Sequence, residues 1–389
     1  MQLLLDENKV SKAIIDILTA WRFWSAIIAT IFVIFLGWLL TKKGTLKQEW
    51  DVVFIKILVV IGLPALVFEG FMSDATVENV KQEAAVLLSG FLFYIILGII
   101  AKYFYIKYDR DVQDALSMSM TFAATSFFGI PIVTALFPGS DAKIASNIFN
   151  VPYHVFLYSL GFIIMGKDNK GYLQDKVVIR NSFKNRYAYG WKMFKTNSKK
   201  ILLNPILLAT IIGFTFWVTQ LIPGIAVVPD QNVLGSGKSF SPLRLDNTFP
   251  PIKKILVTLQ AICTPLACLA IGINLTKETL KDSLKSFKTW YGTIMKVLLA
   301  PVIGLVITLI VTAIGKETGA WTMSSMGLTI IIIMLAAPPA SVIVAYSINF
   351  KKETLLTSNV TLLSTLMSII ILPFWIIVTT AIGSISLFT

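Results

Sequence analysis

Long apolar runs separated by short polar stretches dominate the pattern of this chain. A hydrocarbon core of about 30 Å requires roughly 20 apolar residues per helix, so each run of that length is interpreted as a membrane span. Ten such runs occur, at residues 23–41, 52–71, 84–101, 114–137, 144–165, 201–220, 255–276, 289–314, 321–347 and 355–384. The pattern therefore predicts an all-α membrane protein with ten transmembrane helices.

Residues 1–22 are too charged to span a membrane. Apolar residues alternate there with Asp6, Lys9, Lys12 and Asp16, a pattern typical of a helix that lies along the membrane surface. No cationic start leads into an apolar stretch that ends in small residues. We therefore expect an interfacial helix rather than a cleaved signal peptide.

Composition and charge narrow the classes of function. Apolar residues make up 56% of the 389 residues and charged residues 14%, which excludes a disordered chain and an ordinary soluble enzyme. The net charge is +13, but the basic residues lie between apolar runs, where an anionic leaflet attracts them. We therefore expect a lipid bilayer, and no nucleic acid, as partner.

The distribution of lysine and arginine predicts the orientation. With the N-terminus outside, 22 basic residues fall in cytoplasmic loops and 10 in outer segments, and ten of the 22 come from the loop 166–200. Cytoplasmic loops carry the excess of positive charge. Both termini are therefore predicted to lie outside the cell membrane, with a basic cytoplasmic loop at 166–200.

Prolines punctuate the spans in a repeated order. Spans 2 and 7 carry Pro64 and Pro265 at mid-depth, and spans 4 and 9 carry Gly129-Ile130-Pro131 and Pro338-Pro339. The two sets of five spans thus carry prolines in the same order, in the second and the fourth span of each set. Because five is odd, the second set crosses the membrane in the opposite sense. This predicts two inverted five-helix repeats.

A proline inside a helix removes a backbone N–H and collides with the carbonyl four residues earlier. For spans 2 and 7 we favour a simple bend, whereas for spans 4 and 9 we expect a break. Half-helices that begin at Pro131 and Pro338 would bring two positive N-terminal ends together, with free N–H groups near residues 132–133 and 340–342. Such ends bind carboxylates.

Span 5 presents a polar face. Asn147, Asn150, His154 and Tyr158 follow helical spacing, and His154 is the only histidine in the chain. A face of this kind either holds helices together by hydrogen bonds or serves a substrate or a coupled proton. Both interpretations stay open.

Hydroxyl side chains lie beside both expected breaks. Thr125 and Ser126 are in span 4, and Ser341 follows the double proline of span 9. These hydroxyls either satisfy opened backbone or bind ligand. A second hydroxyl face in span 10 is expected to line the same cavity and comprises Ser358, Thr361, Thr365 and Ser368.

Other candidate chemistry is sparse. Lys56 and Lys296 lie within spans and are interpreted as reaching the interface, with attraction of anions as the alternative. Cys263 and Cys268 share one apolar run and are interpreted as buried small side chains. No central carboxylate pair suits a cation antiporter, and nucleotide, zinc and nucleophile motifs are absent. We therefore expect no cofactor, no metal and no enzymatic activity.

Four short motifs in chain order resemble the auxin efflux carrier family, whose bacterial members include malate and other organic-anion permeases. They are Phe127-Phe128-Gly129-Ile130-Pro131, Asn204-Pro205-Ile206-Leu207, Ile271-Gly272-Ile273-Asn274-Leu275 and Ala336-Ala337-Pro338-Pro339-Ala340. The resemblance covers nearly the whole chain apart from residues 1–22 and 221–252.

This resemblance implies an architecture and a mechanism. Residues 23–165 and 201–384 would form the two repeats, with spans 1, 2, 6 and 7 as a scaffold and spans 3–5 and 8–10 as a transport unit. It also implies crossing spans 4 and 9, a homodimer and elevator-type alternating access. Relatives often have Asn where this chain has Ala124, and Gly where it has Ser126. Thr125, Ser126 or Asn150 would then have to replace the missing carboxamide.

The sequence therefore predicts a secondary transporter of small carboxylates, with malate or a related dicarboxylate as substrate. Its alternatives are a carrier of monocarboxylates or other organic anions, and a membrane sensor or channel. The coupling ion, proton or sodium, is left open. Backbone N–H groups would hold the carboxylate, hydroxyls would orient it, and His154 would donate a hydrogen bond or carry a proton. The predicted substrate site comprises Thr125, Ser126, Gly129, Pro131, Asn150, His154, Pro338, Ala340 and Ser341.

Overall fold

The computed structural model describes residues 21–137, 140–167, 203–229, 239–276 and 285–385, together with residues 19, 191–192, 194–196, 198–199 and 387–388. The expected interfacial helix at 1–22 and the basic loop at 166–200 lie almost entirely outside the described residues. Helices long and apolar enough to cross a membrane are Trp50–Gly70, Val77–Tyr105, Asp141–Met165, Pro250–Ile273, Phe287–Thr318 and Thr354–Gly383. Shorter apolar helices are Ile28–Lys42, Pro205–Thr219 and Ser325–Ala336. The chain is thus a multi-pass, all-α membrane protein.

The described helices are numbered in chain order. They are α1 (Trp21–Lys42), α2 (Trp50–Gly70), α3 (Val77–Ile100), α4 (Arg110–Thr121), α5 (Thr125–Gly129 and Ile130–Leu136), α6 (Ser140–Phe156, continuing through Leu157–Gly161 and Phe162–Met165), α7 (Pro205–Thr219), α8 (Leu245–Thr248), α9 (Pro250–Gln260), α10 (Cys263–Asn274), α11 (Phe287–Thr318), α12 (Ser325–Ala336), α13 (Ser341–Asn349) and α14 (Thr354–Gly383). A short antiparallel hairpin pairs β1 (Val228–Pro229) with β2 (Ser239–Phe240).

Pro64 and Pro301 distort their helices without ending them. Pro64 in α2 follows a π-helical turn, Leu58–Gly62, which absorbs the missing N–H. Pro301 in α11 follows the π turn Met295–Leu299 in the same way. The expectation that Pro64 distorts span 2 without breaking it is confirmed. Span 7 is likewise distorted but not broken near Pro265: the two residues between α9 and α10 keep right-handed helical backbone, and Pro250–Ile273 forms one membrane-crossing helix.

Spans 4 and 9 are both broken. The first half-helix of span 9, α12, ends at Ala336, and extended backbone leads to α13, as the double proline predicts. In span 4, α4 ends at Thr121 and α5 begins at Thr125, so the non-helical residues are Phe122–Ala124.

The break in span 4 therefore lies earlier than expected. Gly129 and Pro131 lie inside α5, because the π turn at Thr125–Gly129 precedes the proline and the helix continues through it. The prediction of free N–H groups at Ile132 and Val133 is wrong for the same reason.

Aromatic packing holds the non-helical part of span 4. The ring of Tyr94 in α3 stacks on Phe122 at a centroid distance of 5.7 Å. Phe149 and Tyr153 of α6 pack against the same tyrosine at 5.9 Å each. All four side chains are buried. The non-helical residues are thus fixed by tertiary contacts with α3 and α6.

A buried ion cluster ties several helices together. Asp114 in α4 accepts from Lys167, after α6, and from Lys352, between α13 and α14, at 3.1 Å each. Lys352 also donates to the carbonyl of Ile164 at 3.3 Å. The three charged side chains are at most 8% exposed. Since removing one partner of a buried pair is strongly destabilising, this cluster joins α4, α6 and the α13–α14 loop firmly.

The loop before α9 is anchored to the end of α2. Arg244 donates to Asp246 at 2.8 Å and also pairs with Asp74. Burial alone lowers the pKa of Arg244, but the hydrogen bonds and charges of Asp246 and Asp74 outweigh it and raise that pKa above its ordinary value. The guanidinium therefore stays charged and the loop stays attached.

Helices α1 and α10 cross at two glycines. A Cβ on Gly272 would overlap the carbonyl oxygen of Ile34 and lie 2.7 Å from the amide nitrogen of Trp38. A Cβ on Gly37 would lie 2.7 Å from the carbonyl oxygen of Leu269. Because these neighbours are backbone, they cannot move aside.

Gly272→Ala is therefore expected to destabilise the protein by about 1–3 kcal/mol, the usual range for an overpacked contact. The measurement is the thermal melting temperature of the purified protein, which should fall. Ala29→Val adds bulk on the exposed side of α1 and should leave it unchanged. An unaltered melting temperature for Gly272→Ala would contradict the close crossing.

Candidate functional site

The two broken spans are joined at their breaks by backbone hydrogen bonds. The N–H of Ala124 donates to the carbonyl of Pro338 at 2.7 Å, and the N–H of Ala340 donates to the carbonyl of Phe122 at 2.9 Å. Ala123 and Pro339 face each other in this antiparallel bridge. Pro339 has no N–H, and the register places it where none is needed.

Two helix N-termini lie directly after the bridge. The backbone N–H groups of Thr125 and Ser126 in α5, and of Ser341 and Val342 in α13, have no acceptor among the described residues. The N–H of Ala340, which was expected to be free, is occupied by the bridge. Each N-terminus carries about half a positive elementary charge. The crossover therefore presents positive charge from the main chain.

A cavity of about 610 Å³ adjoins the crossover. Its wall includes Ala124, Pro338 and Pro339 of the bridge and the first turn of α13. The opposite wall comes from α2 and α10. Most of the lining is aliphatic, and no lysine, arginine or histidine of the described chain contributes to it.

Among the described residues, the polar part of the cavity lining consists of hydroxyls and one carboxyl. Ser341 of α13 lies at the bridge, and α14 contributes Ser358, Thr361 and Thr365, as the sequence pattern predicts. The fourth member of that face, Ser368, instead donates to the carbonyl of Ala336 at 2.9 Å and caps α12. Hydroxyls thus form one side of the cavity.

Asp51 lies on the other side of the cavity, in the first turn of α2, and is only 4% exposed. The sequence analysis did not select it. An Asp next to a tryptophan at the start of a span has the pattern of an ordinary interfacial residue, so only the depth of the cavity singles it out.

A second polar group lies outside the cavity, between α5, α6 and α7. His154 Nδ1 lies 2.9 Å from Thr210 Oγ1, and that hydroxyl donates to the carbonyl of Ile206 at 2.7 Å. Since the threonine proton is used, Nδ1 of His154 must donate, and its Nε2 can accept from Ser126 Oγ at 3.4 Å. Asn150 completes the chain by donating to Ser126 Oγ at 3.5 Å.

The polar face of α6 makes contacts with α2 and α7. Lys143 pairs with Glu69 at 3.1 Å, and Asn147 Nδ2 lies 3.5 Å from the carbonyl of Val67. A Cβ on Gly70 would overlap Asn147 Nδ2. Together with the His154 bond to α7, these contacts form a line along one helix face.

The predicted site residues therefore fall into distinct places. Pro338 and Ser341 line the cavity, and Ala340 belongs to the bridge. Ser126, Asn150 and His154 form the separate buried chain. Thr125 begins α5 and is fully buried. Gly129 and Pro131 lie in α5, where Gly129 permits close packing against Met334 of α12.

The two lysines within spans behave differently. Lys56 is exposed, in keeping with the expectation that it reaches the interface. Lys296 is fully buried and donates to the carbonyl of Met120 at 3.2 Å, so the same expectation is wrong for it. Hydropathy gives the depth of a residue but not whether it faces lipid or protein, which is why the sequence missed this bond.

Two comparisons with known proteins bear on the family of this chain. A search of curated proteins finds no match. The sequence profile of the family described as "Membrane transport protein" matches residues 23–376. This range contains both breaks, the cavity and all the predicted site residues. The chain therefore belongs to this membrane transport family, the auxin efflux carrier family that its motifs resemble.

Proposed function

We propose that this transporter is a secondary carrier of small carboxylates that bind at the crossover. The supporting observation is the pair of helix N-termini with free N–H groups beside a cavity that no lysine or arginine of the described chain lines. An anion that leaves water for an apolar site requires compensating charge or hydrogen bonds. Fixed main-chain dipoles supply both without adding a mobile charge.

The proposed architecture has ten spans in two inverted repeats, with spans 1, 2, 6 and 7 as scaffold and the rest as transport unit. The tight crossing of α1 and α10 joins two scaffold spans. The Asp114 cluster joins only elements of the transport unit. A homodimer through the scaffold and both termini outside complete this proposal.

The proposed mechanism is an elevator movement of the transport unit. In the proposed orientation, Asp51, Ile348 and Ser358 lie at the cytoplasmic ends of their helices, so the cavity corresponds to an inward-facing state. The contacts of Lys143, Asn147 and His154 with α2 and α7 cross between transport unit and scaffold. They would have to exchange when the unit moves.

Malate is the substrate class expected from the sequence, and an apolar monocarboxylate is the second candidate. A specific observation favours the second: the described lining is mostly aliphatic and includes the carboxyl group of Asp51 but no lysine or arginine. One anionic group at the crossover with an apolar body against α2 and α10 matches that lining.

Proteoliposomes containing the full chain should take up a labelled carboxylate with saturable kinetics. We expect excess phenylacetate to compete with labelled substrate more strongly than excess malate, because the cavity offers a cationic pole for one carboxylate only. The measurement is the initial rate of uptake compared with that of protein-free liposomes.

Saturable malate uptake that excess phenylacetate does not inhibit would show that a dicarboxylate is the substrate. Flux that rises linearly with concentration would indicate a channel, and no uptake of any carboxylate would contradict the proposal.

Ser341→Trp should abolish this uptake because the indole would fill the cavity beside the bridge. We expect a fall of about tenfold or more, equivalent to at least roughly 1.4 kcal/mol of lost binding, with unchanged yield of folded protein. Leu355→Trp, on an exposed position of α14, is the matched control. Normal uptake by Ser341→Trp would remove α13 from the site.

Gly70→Ala tests the elevator movement, because the added Cβ overlaps Asn147 only while α6 lies against α2 as described. An overlap of about 1–3 kcal/mol should shift the protein away from this state by roughly fivefold or more. The measurement is the rate at which a charged thiol reagent labels Ser341→Cys in a Cys263→Ala, Cys268→Ala background, and this rate should fall.

Gly98→Ala is the control for that experiment. Its Cβ would meet only the flexible end of Leu160, within the proposed transport unit. It should leave labelling unchanged. Equal labelling rates in Gly70→Ala and its parent would argue against a mobile interface at α6.

A further inference from the structure

Lys296 is a fully buried lysine in the middle of the protein. Its Nζ donates to the carbonyl of Met120 at 3.2 Å. Met120 lies in the last turn of α4, just before the break in span 4. The carbonyls of a helix's last turn have no partners within the helix, so this lysine satisfies one of the groups that the break leaves open.

The position of Lys296 follows from a proline one turn later. Pro301 cannot donate to the carbonyl of Val297, and the π turn Met295–Leu299 contains both Val297 and the lysine. The indole N–H of Trp375 in α14 donates to that freed carbonyl at 3.0 Å. The bulge is therefore held by a specific bond, and the lysine is held with it.

This π turn packs against both α4 and α12, the two half-helices that end at the crossover. A helix C-terminus carries about half a negative elementary charge. Ser368 satisfies the carbonyl of Ala336 at the end of α12 with a hydroxyl, whereas α4 receives an amine. Among the described residues no carboxylate lies within salt-bridge distance of Lys296.

We propose that Lys296 is a tethered cation that neutralises the C-terminal pole of α4 in the place of a free coupling cation. Broken membrane helices use such C-terminal ends to coordinate sodium or protons in secondary transporters. Here the amino group of Lys296, tethered to α11, occupies that position. Lys296 thereby acts as a positioning residue, since it fixes the end of α4 and with it the bridge and the free N–H groups of α5.

Two consequences follow, and only the second rests on the proposed carboxylate transport. First, the folded protein needs no small cation for its stability. Second, carboxylate uptake does not depend on sodium. If Lys296 only filled space, Lys296→Met would keep the wild-type stability, because methionine fills nearly the same volume without a charge or a hydrogen-bond donor.

The first experiment measures the melting temperature of the purified full chain in sodium chloride, ethylammonium chloride or N-methylglucamine chloride. The wild type should melt at one temperature in all three. Lys296→Ala should melt several degrees lower in N-methylglucamine, and sodium or ethylammonium should raise that temperature saturably by entering the vacated space. Lys296→Met should be destabilised without recovery, because its side chain fills that space.

The controls separate charge from packing. Lys56→Ala removes an exposed lysine from α2 and should change nothing. Lys296→Met with wild-type stability, or Lys296→Ala indifferent to all three cations, would overturn the proposal. Where Lys296→Ala cannot be purified, Lys296→Ser takes its place: like alanine it leaves the space open, so a gain of cation dependence supports the proposal and a melting temperature indifferent to all three cations refutes it.

The second experiment compares carboxylate uptake in sodium and in N-methylglucamine. The ratio of the two rates should be close to one in the wild type and should rise about tenfold in Lys296→Ala, the effect of a coupling of roughly 1.4 kcal/mol. Sodium-dependent uptake by the wild type would overturn the proposal. Absence of carboxylate uptake altogether would contradict the proposed function alone, because the melting experiment needs no substrate.

Discussion

Two backbone hydrogen bonds between Phe122–Ala124 and Pro338–Ala340 determine which backbone groups at the two breaks the rest of the chain must satisfy. Interrupted helices are tolerated at membrane depth only where other groups satisfy the opened backbone. The bridge satisfies one N–H and one carbonyl on each side. The backbone groups that the bridge leaves unsatisfied differ in type. They are N–H donors at the N-termini of α5 and α13 and carbonyl acceptors at the C-terminal ends of α4 and α12.

The centre of the protein therefore has a positive region at the helix N-termini and a negative region at the helix C-termini. Ser341 and Val342 bring the positive N-terminus of α13 to the cavity. At the C-terminal ends, Lys296 and Ser368 satisfy carbonyls with an ammonium group and a hydroxyl. The carbonyls at the C-terminal ends of α4 and α12 are thus satisfied by side chains of the protein itself. The N–H groups at the N-terminus of α13 remain available to a ligand in the cavity.

The sequence predicts the apolar helices and one break well, because apolar length and the double proline Pro338-Pro339 are local properties. It does not predict the break at Phe122–Ala124, since nothing in those residues opposes a helix. Their non-helical form comes from the hydrogen bonds with Pro338–Ala340 and from the ring of Tyr94, both of which are distant in the chain. Proline at 131 marked the correct span but the wrong residue.

The candidate site shows the same division. Helical spacing identifies the hydroxyl face of α14 and the polar face of α6, but the rotation of each helix depends on its neighbours. The face of α14 turns to the cavity, whereas that of α6 turns to α2 and α7, so His154 bonds to Thr210 instead. A lysine within an apolar run draws attention to Lys296, but its burial against the break, like the burial of Asp51 in the cavity wall, is a property of the assembled structure.

The strengths of the polar contacts indicate where this molecule can move. Asp114 with its two lysines is buried, and breaking such a cluster would leave an uncompensated charge in a medium of low dielectric constant. Lys143 and Glu69 are 31% and 15% exposed, and exposed pairs contribute little. The polar contacts of Asn147 with α2 and of His154 with α7 are neutral hydrogen bonds, each of which is worth only about 1 kcal/mol. Movement between α6 and its neighbours α2 and α7 therefore costs far less than movement within the group that Asp114 joins, and the weak surface coincides with the boundary between the proposed scaffold and transport unit.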